Sequence, residues 1–196
     1  KIELACDKEG NFLAFRTETM ANVGAYLSNF ATVTPTFLHG TLMAGPYKVP
    51  KVYVNVKTVF TNTAPVDAYR GAGRPEAILT IERVMDEAAR QLGVDPFDLR
   101  RRNFITRFPY RSATGELIDV GDFDRVLRRA EGDGDVAGLA ARKSASAAKG
   151  LLRGIGYSCY IEACGLAPSN IAGALGARAG LFECGEVRVH PTGSVT

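Results

Sequence analysis

The chain has 196 residues, of which 46% are hydrophobic and 23% charged, and its formal net charge is +3. These values are ordinary for a globular protein of one large domain or two small ones, and they exclude fibrous and disordered classes. The charge is too small to indicate a nucleic-acid-binding protein. No apolar run reaches the roughly 18 residues that span a bilayer, and no charged-then-apolar leader begins the sequence, so we expect a cytoplasmic protein without a membrane span.

The first predicted element is a β-hairpin. Two β-leaning segments, residues 2–6 and 11–17, flank the turn-rich cluster DKEG at residues 7–10. The next residues, 20–34, show no clean period, and we predict that Tyr26 among them is a core side chain. Glycine and proline recur in residues 35–50, which indicates a connection or a short helix.

A strand, a glycine loop and a long helix follow. Valines at positions 52, 54 and 56 alternate with more polar residues, which predicts a strand with one buried face. A helix is predicted over residues 75–92, because apolar side chains recur at intervals of three and four and form one stripe. The stripe consists of Ile78, Ile81, Met85, Ala88 and Leu92. Gly93 ends this helix, and Asp95 and Pro96 begin another as its N-cap and first residue.

Residues 68–77, which read AYRGAGRPEA, comprise the glycine loop and the start of the long helix, and they have features of an anion-binding site. Gly71 and Gly73 permit backbone angles closed to other residues and place no side chain between the backbone and a ligand. Pro75 suits the first helical position, so amides around Gly73 would face an oxygen-rich, negative ligand at the positive helix end. Two alternatives stay open: the loop is only a tight connection, or Arg70 forms a structural salt bridge.

The second half of the chain is predicted to be less regular. Residues 104–119 are turn-rich, and Asp122 is predicted to cap a short helix. Residues 131–150 are rich in small and charged side chains and are predicted to form an exposed linker with a helix around residues 137–148.

Beyond the linker, β-leaning residues 155–161 and a glycine- and alanine-rich loop at residues 165–180 precede a predicted strand at residues 186–190 and a turn at residues 191–193. We predict an α+β fold of mixed sheets with packed helices. Residues 1–130 form a first segment, residues 131–150 a linker and residues 151–196 the start of a second segment. The first and last residues read like interrupted strands, so the chain is expected to be part of something longer.

Neither the cysteines nor the histidines form a metal-binding pattern. The cysteines, at positions 6, 159, 164 and 184, make no C-x-x-C pair, and buried thiols are favoured over metal ligands. His39 and His190 have no acidic or histidine companion at ligand spacing and are predicted to be structural. The arginines of residues 100–102 lie on different sides of a helix, which favours a solvated helix end over a basic patch.

Taken as a whole, AYRGAGRPEA resembles the active-site loop of molybdenum-binding large subunits of the xanthine dehydrogenase family, in the version carried by carbon monoxide dehydrogenase-like large subunits. The likeness continues through TNTAPVDAYRGAGRPEA, DEAARQLGVDPFDLRRRNFI, GIGYSCYIEACG and EVRVHPTGSV. It covers nearly the whole chain, and residues 131–149 are least similar to the family.

The resemblance implies a piece of a molybdenum hydroxylase, which holds molybdenum in molybdopterin cytosine dinucleotide and inserts a water-derived oxygen into its substrate. It also implies an oligomeric enzyme with an iron–sulfur small subunit and an FAD-binding medium subunit. Arg70, Gly71, Ala72 and Gly73 match the loop beside the cofactor, and the amides of Gly71, Ala72 and Gly73 are expected to face the oxygen ligands of the metal. Residues 21–28 match a segment near the active site. Ala72, Ile161 and Glu162 match positions that line the substrate side. Glu162 either orients a polar substrate or is a scaffold acid satisfied by its neighbours.

The resemblance also bears on the substrate. Carbon monoxide oxidisers of the family have a cysteine directly after this arginine, which binds copper, whereas this sequence has Gly71. We therefore expect no copper, disfavour carbon monoxide oxidation and expect hydroxylation of an aldehyde or a nitrogen heterocycle. Ala72 stands where xanthine-oxidising relatives have a phenylalanine over the substrate, which implies a roomier pocket.

Some parts expected of the family are not among these 196 residues, notably the late glutamate that supplies the general base. We therefore expect no catalytic or metal-ligating residue in this chain, and no activity from it alone. The alternative function is a non-catalytic anion-binding or interaction domain, in which Arg70 and the glycine loop hold a phosphate or a partner's carboxylate.

Overall fold

A computed structural model describes residues 1–162 and 185–196 of the chain. Its strands are β1 (Ile2–Cys6), β2 (Phe12–Gly24), β3 (Val52–Phe60), β4 (Tyr110–Arg111) and β5 (Leu117–Ile118). Its α-helices are α1 (His39–Thr41), α2 (Arg74–Leu92), α3 (Pro96–Asn103), α4 (Phe123–Asp133) and α5 (Leu139–Ala147), and a π-helical turn (Thr34–Leu38) leads into α1. This mixture of sheets and helices confirms the predicted α+β class.

The described residues belong to two compact units, Lys1–Ile161 and Glu162–Thr196. The helix α5 lies in the first unit, inside the segment predicted to be a linker, and most residues of that segment are exposed. The division at residues 130 and 150 stays a prediction. The loop predicted at residues 165–180, Cys164 and Cys184 lie outside the described residues. No helix of the described part is long and apolar enough to cross a membrane.

The main sheet has three strands in the order β1-β2-β3. The strands β1 and β2 are antiparallel, with Ile2 opposite Thr17, and this pairing confirms the predicted hairpin. The strand β3 runs parallel to β2, with Phe15 opposite Val52 and Gly24 opposite Phe60. Because β3 is parallel to β2, its end delivers the chain to the same edge of the sheet at which β2 ends.

The core lies between this sheet and the helices α2 and α3. The predicted stripe of α2 is confirmed at Ile81 and Met85, which are buried. Ala77 and Ala89 complete the buried face of the helix. The other members of the predicted stripe, Ile78, Ala88 and Leu92, are half-buried, so the buried face is shifted by about one residue from the predicted one. The fully or nearly buried cluster comprises Phe12, Phe15, Met43, Tyr47, Val49, Ala77, Ile81, Met85, Ala89, Phe97, Leu99, Phe104 and Leu127.

The predicted helix boundaries are confirmed by their capping groups. Gly93 adopts a φ of 67°, and its N–H donates to the Ala89 carbonyl at the end of α2. The Asp95 carboxylate accepts from the N–H groups of Phe97 (2.7 Å) and Asp98 (3.1 Å) at the start of α3. The Asp122 carboxylate accepts from the Arg125 N–H in the first turn of α4. Each carboxylate satisfies amides that no intrahelical carbonyl reaches.

A buried asparagine in α3 joins that helix to the hairpin. The Asn103 amide oxygen accepts from the Phe12 N–H, and its amide nitrogen donates to the Gly10 and Leu99 carbonyls, each at 2.9 Å. Three hydrogen bonds satisfy this buried side chain. They hold α3 at a fixed position relative to the sheet.

Three expectations from the sequence are wrong or only partly met. Tyr26 is not a core residue, because 65% of its surface is exposed; it lies two residues after the end of β2 at Gly24. Residues 155–161 form no strand, because no described strand pairs with them. In residues 186–190, a single bridge joins Val189 to Val195, although the predicted turn is present with Gly193 at a φ of 83°.

Candidate functional site

The loop between β3 and α2 has a sharply turned backbone. The Ala72 N–H donates to the Tyr69 carbonyl (2.7 Å), and the Arg74 N–H donates to the Gly71 carbonyl (3.1 Å). Three successive residues take positive φ values, 99° at Gly71, 44° at Ala72 and 88° at Gly73. Gly73 is the N-cap of α2, so the helix begins at Arg74, one residue before the predicted first helical residue Pro75.

Steric contacts explain why positions 71 and 73 are glycine. A Cβ atom on Gly71 would lie 2.6 Å from Cγ of Pro75. A Cβ atom on Gly73 would lie 2.0 Å from the Thr34 carbonyl oxygen and 3.0 Å from the His39 nitrogen. A side chain on Gly73 would therefore push the loop off the π-helical turn and α1. At both positions a side chain would also carry the strain of a positive φ. The loop is packed tightly on its inner side.

The loop carries hydrogen-bond donors that the protein does not use. Within residues 1–162 and 185–196, the amide nitrogens of Gly71 and Gly73 donate no hydrogen bond, and no side chain caps α2. Gly73 is also buried. By contrast, the Ala72 amide is engaged within the loop. Two amides at the positive end of a 19-residue helix form a site that accepts an oxyanion.

A cation lies next to these amides in the chain. Arg70 is exposed, and over the described part of the chain it forms neither a hydrogen bond nor an ion pair. The alternative of a structural salt bridge at Arg70 thus has no partner among the described residues. The neighbouring Tyr69 is 87% exposed. A guanidinium group without a protein partner is suited to bind an anionic ligand.

A buried histidine supports the loop from its inner side. His39 is 3% exposed, and its Nε2 atom lies 3.3 Å from Oγ1 of Thr19. Burial lowers the pKa of His39 below its usual value of 6.5, although hydrogen bonding to the Gly73 backbone and the charge of Glu76 oppose this shift. The ring is therefore neutral at pH 7. The sequence predicted a structural histidine, but not that it supports the glycine loop.

The chain that enters the loop is anchored to the segment after β2. The Ser28 hydroxyl donates to the Val66 carbonyl (3.0 Å), and the Phe30 N–H donates to the Asp67 carboxylate (3.3 Å). Hydrogen bonds from the Ala68 N–H, then from Ser28 and Phe30, hold the pKa of Asp67 below its usual range. These contacts place residues 28–30 beside the entrance to the loop. The match of residues 21–28 to a segment near the active site stays a prediction.

Two other predicted site residues, Ile161 and Glu162, lie where the first compact unit ends and the second begins. Ile161 is half-buried and ends the first unit, whereas Glu162 is exposed and begins the second. Their assignment to a substrate pocket, and that of Ala72, stays a prediction.

A buried ionic network was missed by the sequence analysis. Arg100 is fully buried, and its Nη2 atom lies 3.0 Å from Oε2 of Glu82 and 2.9 Å from Oδ1 of Asp86. Burial lowers the pKa of Arg100, but Glu82, Tyr47 and Asp86 together outweigh burial and raise this pKa. The prediction of a solvated helix end is therefore wrong for Arg100. One indication was available, since Glu82 lies three residues before Met85 and one after Ile81 on the apolar stripe.

Comparison with known proteins identifies a cofactor-binding family and its solved structures as similar to this chain. The model of the molybdopterin cofactor-binding domain matches residues 1–104. The carbon monoxide dehydrogenase large chain of Hydrogenophaga pseudoflava is 35% identical over 98% of this chain and 24% of its own length. The nicotine 6-hydroxylase large subunit of Paenarthrobacter nicotinovorans is 30% identical over 100% of this chain and 24% of its own length. The crystal structure of the Cu,Mo-CO dehydrogenase in its carbon monoxide reduced state superposes with a TM-score of 0.76 at 31% identity, over 99% of this chain and 25% of that one.

The chain thus spans about a quarter of the length of these relatives. The matched family model covers both the sheet and the glycine loop. The likeness to molybdenum-binding large subunits of the xanthine dehydrogenase family is confirmed, and the chain belongs to the molybdopterin cofactor-binding domain family.

Proposed function

We propose that the chain is part of the large subunit of a molybdenum hydroxylase and that the loop at residues 69–73 contacts the cofactor. The observation that carries this proposal is the pair of unused amides at Gly71 and Gly73 beside the exposed Arg70. Oxygen ligands of a metal and phosphate oxygens both accept such hydrogen bonds. The donors present therefore fit the cofactor that the family binds.

The residues of this loop bind and orient, and the cofactor supplies the redox chemistry when it is bound. The amides of Gly71 and Gly73 hold oxygen atoms in fixed positions, because the backbone around them is packed against Pro75 and Thr34. Arg70 adds a positive charge that stabilises negative charge on the ligand or on the reacting substrate. Ala72 leaves space beside the loop, since its side chain is a single methyl group.

Copper chemistry is disfavoured at this loop for a steric reason. A side chain at position 71 would have to be accommodated at a φ of 99° and within 2.6 Å of Pro75. This backbone is therefore suited to glycine and not to a cysteine ligand. We propose oxidative hydroxylation of an aldehyde or a nitrogen heterocycle, and the similarity to a nicotine 6-hydroxylase large subunit favours the heterocycle.

The rest of the proposed enzyme follows from the same family membership. We propose molybdopterin cytosine dinucleotide as the form of the cofactor, with no copper beside it. We further propose an iron–sulfur subunit and an FAD-binding subunit as partners that receive the electrons. Acid release of cytidine monophosphate from the purified enzyme tests the dinucleotide, and guanosine monophosphate in its place would contradict it.

The role of Arg70 is tested by Arg70→Ala in the intact enzyme. We expect kcat to fall by about 100-fold, because removing one stabilising donor from an active site costs roughly 10²–10³ in rate. Arg107→Ala is the matched control, since Arg107 is also exposed and has no hydrogen bond or ion pair among the described residues. Unchanged turnover and unchanged molybdenum content in Arg70→Ala would remove Arg70 from the site.

A further inference from the structure

Residues 152–161 cross the surface of α2 and α3 without belonging to a sheet. In the part of the chain that the structure describes, they form no backbone–backbone hydrogen bond. Tyr157, Cys159 and Ile161 are half-buried, whereas Ser158 and Tyr160 are exposed. This alternation is that of an extended chain with one face turned inward. Something other than strand pairing must therefore fix the position of this segment.

The buried Glu82 provides the backbone anchor. Its Oε2 atom accepts from the Cys159 N–H at 2.9 Å, and among the described residues this is the one hydrogen bond made by a backbone group of residues 152–161. Glu82 is 5% exposed, and its other oxygen, Oε1, accepts from the Tyr47 hydroxyl at 2.5 Å. Arg100 and Tyr47 also bind this carboxylate, so its position does not depend on the segment.

Tyr157 provides a second attachment two residues earlier. Its ring stacks on the Phe97 ring with centroids 4.1 Å apart, and the Arg100 guanidinium lies 4.8 Å from the Tyr157 ring centroid. The same arginine therefore holds Glu82 by an ion pair and Tyr157 by a cation–π contact. The environment is apolar enough that burial raises the pKa of Tyr157 to about 12 and that of Cys159 to about 11.

Few side chains pack between residues 155–160 and α4. A cavity of about 770 Å³ lies between the segment and α4, lined by Ile155, Tyr157 and Cys159 from the segment and by Val126, Leu127 and Ala130 from the helix. The space leaves the segment free to move if its attachments to α2 and α3 are lost. The position of Ile161, which shares the inward face with Tyr157 and Cys159, then depends on Glu82 and Tyr157.

We infer that Glu82 is a positioning residue that, together with Tyr157, fixes the backbone of residues 157–161 and so places Ile161. This inference rests on the proposed function in one respect, namely that Ile161 lines the substrate pocket. It assigns an indirect role in substrate binding to a buried carboxylate, which acts through the backbone of residues 157–161. The anchoring itself is independent of any activity.

The anchoring is tested by hydrogen exchange at the Cys159 amide, followed in the peptide that contains residues 155–161 of the intact enzyme, because this amide is the hydrogen-bonded one among the described residues of the segment. Glu82→Met and Tyr157→Leu are expected to raise its exchange rate about tenfold or more. Each removes an interaction worth about 1.4 kcal/mol, which corresponds to a tenfold change in the opening equilibrium. Glu82→Gln keeps an acceptor oxygen and is expected to stay within about threefold of the wild type. Tyr47→Phe is the matched control, because it removes a hydrogen bond to the same carboxylate but leaves the Cys159 N–H paired.

Kinetics of the same variants test the consequence for the substrate. We expect Tyr157→Leu to raise KM about tenfold with kcat changed by less than about threefold, because a displaced pocket wall weakens uniform binding. Exchange of residues 155–161 that is as slow in Tyr157→Leu and Glu82→Met as in Tyr47→Phe would overturn the anchoring. Faster exchange with an unchanged KM in molybdenum-loaded enzyme would overturn the role of Ile161. An intact protein without molybdenum would instead refute the proposed function, and the exchange rates would still decide the anchoring.

Discussion

Gly73→Ala is the substitution that most directly perturbs the inner side of the glycine loop. The added Cβ would lie 2.0 Å from the Thr34 carbonyl oxygen, whereas such contacts are essentially never under 3.0 Å, so the loop must move by about 1 Å. A positive φ at a residue with a side chain costs about 1–2 kcal/mol, and overpacking adds roughly 1–3 kcal/mol. We therefore expect the free energy of unfolding to fall by about 3 kcal/mol, and Tm by roughly 6–12 °C.

The same displacement moves the Gly73 amide and the start of α2. A misplacement of about 1 Å in a binding site can cost about 100-fold in activity, so we expect a large loss of bound cofactor or turnover as well. Thermal unfolding and molybdenum content per chain measure the two effects. Gly132→Ala is the matched control, because Gly132 lies in α4 with no atom within 4 Å of the added Cβ, and it should stabilise the helix by about 0.5–1 kcal/mol. A Gly73→Ala protein as stable and as metal-loaded as Gly132→Ala would refute the steric reasoning.

Two further predictions concern buried ionisable side chains. Because the pKa of His39 is lowered in the folded state, the contribution of this side chain to stability is complete above its usual pKa of 6.5 and is lost as the pH falls below that value. Between about pH 7.5 and about pH 5, urea unfolding should therefore show a smaller decrease in the free energy of unfolding for His39→Gln than for the unsubstituted protein. An equal decrease in both proteins would contradict this. Arg100→Met leaves Glu82 buried without its cation and is expected to lower the free energy of unfolding by about 3–5 kcal/mol. The exposed Arg102 should tolerate the same change within about 0.5 kcal/mol, and equal effects at both arginines would contradict the assigned network.

Local signals in the sequence predicted the helix ends and the hairpin well. Gly93 and Asp95 act through contacts within a few residues, so their roles can be inferred from their neighbours in the chain. The glycines at positions 71 and 73 were likewise identified as special. What the sequence could not show was the cause at Gly73, because Thr34 lies 39 residues earlier and reaches it only in the folded structure.

The buried polar side chains were the least predictable part. Arg100 is the first of three consecutive arginines, and nothing in its local pattern distinguishes it from a solvated residue. Its burial depends on Glu82 and Asp86 of α2 and on Tyr157, which come from two other parts of the chain. Tyr26 shows the reverse error, because an aromatic residue was assigned to the core although the strand before it ends at Gly24.

The position of the candidate site could be predicted from the decapeptide AYRGAGRPEA, but the amides that are free to bind a ligand could not. Arg70 and the two glycines were singled out from the sequence, but which amides are available depends on the turn. Ala72 was expected to offer an amide, and its N–H is used by the Tyr69 carbonyl instead. The use of a hydrogen bond inside a turn is a matter of backbone geometry, which the residue types alone do not determine.

The central claim is that the unused amides of Gly71 and Gly73, beside Arg70, contact a molybdenum cofactor. The most direct test is elemental analysis of the intact protein, purified without added metal and washed free of loosely bound ions. The claim predicts close to one molybdenum atom per chain together with a releasable pterin, and no stoichiometric copper. A fully folded intact protein with neither molybdenum nor pterin would contradict the claim and leave an anion-binding or interaction domain in its place.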